Sequence, residues 1–78
     1  MTQEEYNVLS TEDIFRGTYE SSPIVKNNLA SVAAMARKGL VSMKQDSDWN
    51  GSDERFVMIT SMGILELNIF RKKHNLPS

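Results

Sequence analysis

The residues best suited to chemistry in this sequence are the carboxylates of one short acidic segment. The stretch KQDSDWNGSDERF, residues 44–56, holds four of the ten acidic residues of the chain. A calcium loop needs oxygen ligands at positions one, three and five, a glycine at position six and a glutamate at position twelve. The first four of these positions are matched by Asp46, Asp48, Asn50 and Gly51. Position twelve is Val57, so a charged turn exposed to solvent is the better interpretation.

Catalytic chemistry has almost no candidate residues. His74 is the only histidine of the chain, and there is no cysteine. His74 also lacks an evident carboxylate partner for general acid–base or nucleophilic catalysis. No glycine-rich phosphate loop is present. We therefore expect a protein that is not an enzyme and that needs neither a metal nor a cofactor.

Length, charge and composition narrow the class of protein. The 78 residues have room for one domain, residues 1–78. The absence of cysteine argues against a secreted, disulfide-stapled domain and predicts a cytoplasmic location. No apolar run approaches the roughly 18 residues of a membrane span. The net charge is −1, so a nucleic-acid surface would have to arise from segregation of charges rather than from a basic excess.

Two short helices are predicted at the start of the chain. Thr2 and Glu5 have the spacing of a capping box, so the first helix should span about residues 2–9. The pattern STED, which begins at Ser10, is a second helix start. A glycine soon after it should keep the second helix short, with its end near Tyr19.

A third, longer helix begins with the clearest local signal in the sequence. Serine is a favoured N-cap and proline is tolerated at the first helical position, which fits Ser22 and Pro23. Gly39 can close the helix in a left-handed cap. A helix over residues 23–39 places four apolar residues on one narrow stripe: Val25, Leu29, Val32 and Ala36.

A β-hairpin and a final helix follow. Residues 40–45 and 55–60 are rich in β-branched and aromatic residues, and they flank the turn pair Asn50-Gly51. Thr60 or Ser61 can cap the last helix. That helix carries apolar residues on two sides, with Met62, Leu65 and Ile69 on one and Ile64, Leu67 and Phe70 on the other. The predicted fold class is therefore α+β and mostly helical.

The order of these elements and two motifs resemble a winged helix-turn-helix domain, as found in MarR-like and PadR-like transcriptional regulators. The first motif, MARKGLVSMKQ at residues 35–45, is similar to the junction between recognition helix and wing. The second, RFVMITSMGILEL at residues 55–67, is similar to the last wing strand and the helix after it. The resemblance assigns residues 11–38 to the helix-turn-helix, 40–60 to the wing and 61–74 to the C-terminal helix. The long N-terminal dimerisation helix is absent, and the wing is acidic.

The resemblance implies DNA binding and a role in the regulation of transcription. Its third helix, starting at Pro23, would enter the major groove of double-stranded DNA. The residues that would contact DNA are Ser21, Ser22, Lys26, Asn27, Ser31, Lys44 and Arg55. The first two would hold a phosphate at the helix start, the next three would face base edges, and the last two would contact flanking phosphates. The same residues also fit a plain solvated face. The compact size suits a regulator encoded by a phage or mobile element.

Two surfaces are predicted to contact protein. Ile64, Leu67 and Phe70 would pair the C-terminal helices of a homodimer, unless the first helix packs there and covers them. Trp49 is either an anchor for a partner protein or folds back over the hairpin. The rival function is therefore a protein-interaction module, which binds a host or partner protein through the acidic Trp49 wing or the exposed face of the third helix.

Overall fold

The computed structural model describes residues 1–47 and 53–75, which form five helices and a three-stranded antiparallel sheet. In chain order the elements are α1 (Gln3–Leu9), α2 (Glu12–Arg16), β1 (Thr18–Tyr19), α3 (Pro23–Lys26), α4 (Leu29–Arg37), β2 (Val41–Ser47), β3 (Asp53–Ile59) and α5 (Ser61–Lys73). The predicted α+β class is confirmed. None of these five helices is both long enough and apolar enough to cross a membrane. The predicted Asn50-Gly51 turn lies outside the described residues.

Side-chain caps start both N-terminal helices. Thr2 Oγ1 accepts a hydrogen bond from the Glu5 N–H at 3.1 Å, and Glu5 Oε1 accepts one from the Thr2 N–H at 2.8 Å. Thr11 caps α2 by accepting from the Ile14 N–H at 3.4 Å. These bonds satisfy N–H groups that have no partner inside their own helix. The capping box predicted for the first helix is confirmed.

α2 ends earlier than predicted, and the residues that follow form a strand. Gly17 has a φ of 95°, which stops the helix before Tyr19. Thr18 and Tyr19 pair with Val57 and Phe56. A Cβ atom on Gly17 would lie 2.6 Å from Phe56 Cε2, so the chain passes too close to the ring for any side chain. A two-residue strand has no sequence period of its own, and β1 exists because β3 offers it a partner.

The predicted single helix over residues 23–39 is wrong, because Asn27 and Asn28 divide it into α3 and α4. Asn28 has φ −135° and ψ 33°, and its Nδ2 donates to the Ile24 carbonyl at 2.8 Å. Asparagine interrupts helices in this way because its short amide bonds to nearby backbone groups. The break leaves Leu29 54% exposed, although it was predicted on the buried stripe. The buried apolar residues of the two helices are Val25, Val32 and Met35.

β2 and β3 form the predicted hairpin, and each strand extends two residues further toward the turn than expected. The register runs from Val41 opposite Ile59 to Ser47 opposite Asp53. The sheet order is β1-β3-β2, so β2 is an edge strand. Alternation turns Val41, Val57 and Ile59 to one face, and all three are buried.

α5 starts at the predicted cap and closes the core. Thr60 Oγ1 accepts a hydrogen bond from the Gly63 N–H at 3.0 Å, and His74 is the C-cap. The core lies between the helices and the inner face of the sheet. Its buried residues are Val8, Leu9, Ile14, Val25, Val32, Met35, Leu40, Val41, Val57, Ile59 and Leu67.

Candidate nucleic-acid interface

Charge is unevenly distributed along the chain, and the segment that spans α3, α4 and most of β2 has no carboxylate. Residues 21–45 contain four Lys or Arg residues and no Asp or Glu. The four cations are Lys26, Arg37, Lys38 and Lys44, and all are exposed. The overall charge of −1 therefore conceals a locally positive segment, which suits attraction to a phosphate backbone.

One of these cations, Lys38, is engaged within the chain. Its Nζ lies 3.0 and 2.9 Å from the two carboxylate oxygens of Glu5, whose side chain is only 4% exposed. Burial raises the pKa of Glu5, but the Lys38 hydrogen bonds, the Thr2 N–H and the Lys38 charge outweigh it, so the pKa lies below its ordinary value. Lys38 therefore ties the end of α4 to α1. The other three cations form no ion pair with any described residue.

Lys26 and Asn27 lie where α3 passes into the turn before α4, and both are exposed. They were predicted on the outward face of one long helix. Ser31 lies in the first turns of α4 and is half-buried, while Arg37 is exposed at the end of α4. Arg37 was not among the predicted contact residues, and the unbroken helix predicted over residues 23–39 was wrong. The Asn27-Asn28 pair was the available signal for the break.

The two serines before α3 are not equivalent. Ser21 is exposed, whereas the Ser22 hydroxyl is buried and has no hydrogen-bond partner among the described residues. Ser22 is the N-cap of α3, but its side chain makes no capping bond. The phosphate contact was predicted through free backbone N–H groups at the helix start, and the Ser22 N–H instead donates to the Tyr19 carbonyl at 2.9 Å.

Lys44 and Arg55 lie on opposite faces of the hairpin. Residues opposite each other in an antiparallel pair share one face of the sheet, and successive residues alternate. Lys44 is opposite Phe56, and Gln45 is opposite Arg55. The two cations, which were both predicted to contact flanking phosphates, therefore point to opposite sides of the hairpin. Arg55 is the one on the core-facing side, because it shares that face with the buried Val57.

The outer part of the hairpin is acidic and places one pair of like charges opposite each other. Asp46 is opposite Glu54, and Ser47 is opposite Asp53. Like charges directly opposite each other destabilise a strand pair. They also repel a phosphate backbone. Trp49 and the calcium-like spacing that continues through Asp48 and Asn50 lie outside the described residues.

The predicted pairing surface on the C-terminal helix is largely covered by the chain itself. Leu67 and Phe70 are each 7% exposed, so they are not free to pair two copies. The Phe70 ring stacks on Tyr6 of α1 with centroids 4.7 Å apart, and Arg71 Nε donates to the Tyr6 hydroxyl at 3.3 Å. This is the alternative arrangement, in which the first helix packs on that face. Ile64 alone of the predicted set is exposed.

The opposite side of α5 is the one that remains apolar and exposed. Met62, Leu65 and Ile69 are 54%, 54% and 49% exposed. Beside them, Phe15 and Ile64 line a half-open groove of about 270 Å³ between α2 and α5. Both apolar faces of the helix were predicted, but the face expected to pair two copies is the one that the chain largely covers itself.

Comparison of the chain with protein-family models, with curated proteins and with solved structures finds no match.

Proposed function

We propose that this protein is a winged-helix DNA-binding protein that regulates transcription. The observation that carries the proposal is the carboxylate-free stretch over residues 21–45, whose exposed cations include Lys26 and Arg37. The order α2, β1, α3, turn, α4, β2, β3 and the sheet order β1-β3-β2 support a winged-helix arrangement. In that arrangement α4, rather than a helix from Pro23, is the recognition helix.

The exposed groups around α4 define how DNA would be read. Asn27, in the turn before α4, can bond bidentately to adenine, and the methyl group of Ala30 can contact the methyl group of thymine. Lys26 and Arg37, at opposite ends of this unit, would hold phosphates on either side of the groove. So few base-reading groups predict modest sequence specificity with a preference for A·T pairs.

The wing would contribute through its core-facing side alone. Arg55 lies on that side and is exposed, so it would contact a flanking phosphate. Lys44 lies on the outer face and would not contact a phosphate. The acidic outer part of the hairpin would be repelled from the duplex and would point away from it.

Removal of the proposed phosphate contacts should weaken DNA binding and reduce its salt dependence. With Lys26, Arg37 and Arg55 on phosphates, the slope of log K against log salt should be about −3, since each contact adds roughly −0.9. Lys26→Ala and Arg37→Ala should each reduce the slope by about 1 and weaken binding on all sequences alike. Fluorescence anisotropy with a short duplex of random sequence measures both quantities.

The matched control is Arg16→Ala. Arg16 is an exposed cation on α2 that is already paired with Glu12, so its loss should leave DNA affinity unchanged. Asn27→Ala should instead narrow the difference in affinity between A·T-rich and G·C-rich duplexes. Folded wild-type protein that binds no duplex at low salt would contradict the proposal.

A protein-interaction module is the second candidate, and the exposed Leu29 on α4 favours it. Leu29 is 54% exposed in the first turn of the recognition helix, where a leucine offers no hydrogen bond to a base edge. If Leu29→Asp abolishes capture of a host protein while DNA binding is absent in the wild type, this second function holds.

A further inference from the structure

The outer edge of β2 is uncovered in the described part of the chain. β2 pairs with β3 on one side, and no other described strand pairs with it. Lys44 and Gln45, in the middle of the strand, are exposed. A strand edge of seven residues presents a row of N–H and C=O groups that can template another strand.

The hydrogen-bond pattern identifies which backbone groups point outward. The Thr60 N–H donates to the Leu40 carbonyl at 3.0 Å, so Leu40 and Thr60 form a hydrogen-bonded pair. Such pairs alternate with non-bonded ones along an antiparallel ladder. Residues 42, 44 and 46 therefore bond to β3. The N–H and C=O groups of Val41, Met43, Gln45 and Ser47 point to the free edge.

We propose that the free edge of β2 binds the same edge of a second copy of this chain, antiparallel and centred on Gln45. In this register the two Gln45 residues form the central hydrogen-bonded pair. Lys44 of each copy then lies directly opposite Asp46 of the other, in a non-bonded pair, where side chains approach most closely. The result is one continuous six-stranded sheet.

Charge selects this register over its neighbours. Centring the pair on Lys44 would set two lysines opposite each other, and centring it on Asp46 would set two aspartates opposite each other. Centring it on Met43 gives no ion pair. The chosen register also offsets a repulsion within each wing, because Asp46, which faces Glu54 across the hairpin, gains a cation on its other side.

The two bodies fit beside one another in this arrangement. The two Val41 residues, where the strands leave the helices, lie eight residues apart along the joined strands, or about 26 Å at 3.3 Å per residue. The shorter dimensions of the protein are 22 and 20 Å, so each body lies next to the partner's wing. This dimer does not depend on DNA binding, and each proposal can fail alone.

A proline at position 45 should disrupt the proposed interface without disturbing the fold. Because the Gln45 N–H points away from β3, Gln45→Pro removes a donor from the free edge and none from the hairpin, and edge strands tolerate such a proline. Sedimentation equilibrium should show a wild-type dimer, a Gln45→Pro monomer and a Gln45→Thr dimer. Circular dichroism confirms that each variant is folded.

A charge swap tests the register itself. Lys44→Glu and Asp46→Lys should each weaken dimerisation about tenfold, because each turns two attractive cross-strand pairs into repulsive ones. The double variant Lys44→Glu/Asp46→Lys should recover the wild-type constant. A recovery of this kind does not occur if the single variants merely unfold.

Two results would overturn the proposal. One is a wild-type protein that stays monomeric into the millimolar range. The other is a dimer that ignores Gln45→Pro and both charge changes but dissociates with Leu65→Glu. In that case the second copy lies on the exposed face of α5, which carries Met62, Leu65 and Ile69.

Discussion

Gly63→Ala is expected to lower the free energy of unfolding by about 3 kcal/mol or more, the upper end of the cost of overpacking. A Cβ atom on Gly63 would lie 2.7 Å from Ile59 Cγ1 and would collide with the backbone carbonyl oxygen of Leu40. That oxygen cannot retreat, because it accepts the hydrogen bond from the Thr60 N–H. Total stability for 78 residues is about 4–12 kcal/mol, so the loss would be a large fraction.

The sign of this effect distinguishes it from an ordinary helix substitution. Glycine to alanine inside a helix normally stabilises by about 1 kcal/mol. Asn68→Ala, at an exposed position of α5, is the matched control and should leave stability unchanged or slightly raised. Urea unfolding followed by circular dichroism measures both variants. A Gly63→Ala protein at least as stable as the wild type would contradict the close packing of α5 against Leu40, the residue before β2.

Lys38→Met is expected to destabilise the protein by about 2 kcal/mol, because it leaves the buried Glu5 carboxylate without a counter-charge. The cost is below that of a fully buried pair, since the Lys38 side chain is 51% exposed and water reaches it. Glu5→Gln should cost less, because it removes the buried charge along with its pairing. The free energies of unfolding of the two variants at neutral pH test this expectation. A Glu5→Gln protein less stable than Lys38→Met would contradict it.

The same pair makes stability depend on pH. The pKa of Glu5 is lower in the folded chain than its ordinary value, so the unfolded state binds the proton more readily. The contribution of Glu5 is therefore fully present above its ordinary pKa and is lost as pH falls through the lowered one. In acid, the wild type should lose more stability than Glu5→Gln over this window. If stability falls equally with pH in the two proteins, the interaction between Glu5 and Lys38 is contradicted.

The helix starts were predictable because each depends on residues within about one turn. Thr2, Thr11 and Thr60 each accept a hydrogen bond from an N–H three residues ahead, and that spacing is visible in the sequence. The break at Asn27 and Asn28 is also local in cause. It was missed because the apolar period over residues 23–39 continues through it and suggested one helix.

The candidate site was predicted only in part. Lys26, Asn27 and Arg55 are exposed as expected, because polar residues at turns and strand ends seldom find a place in a small core. Ser22 is not exposed in the same way, because its hydroxyl is buried. Arg37 joined the proposed site because it is an exposed cation at the end of α4.

By itself, the sequence determined the helix caps at Thr2 and Thr60 and the two long strands of the hairpin, since these follow from neighbouring residues. The tertiary structure decided which of two apolar faces of α5 is buried, because Tyr6 on a distant helix covers Phe70. It also decided that Lys44 and Arg55 face opposite ways. A shift of one residue in strand register reverses every side, and only the partner strand sets that register.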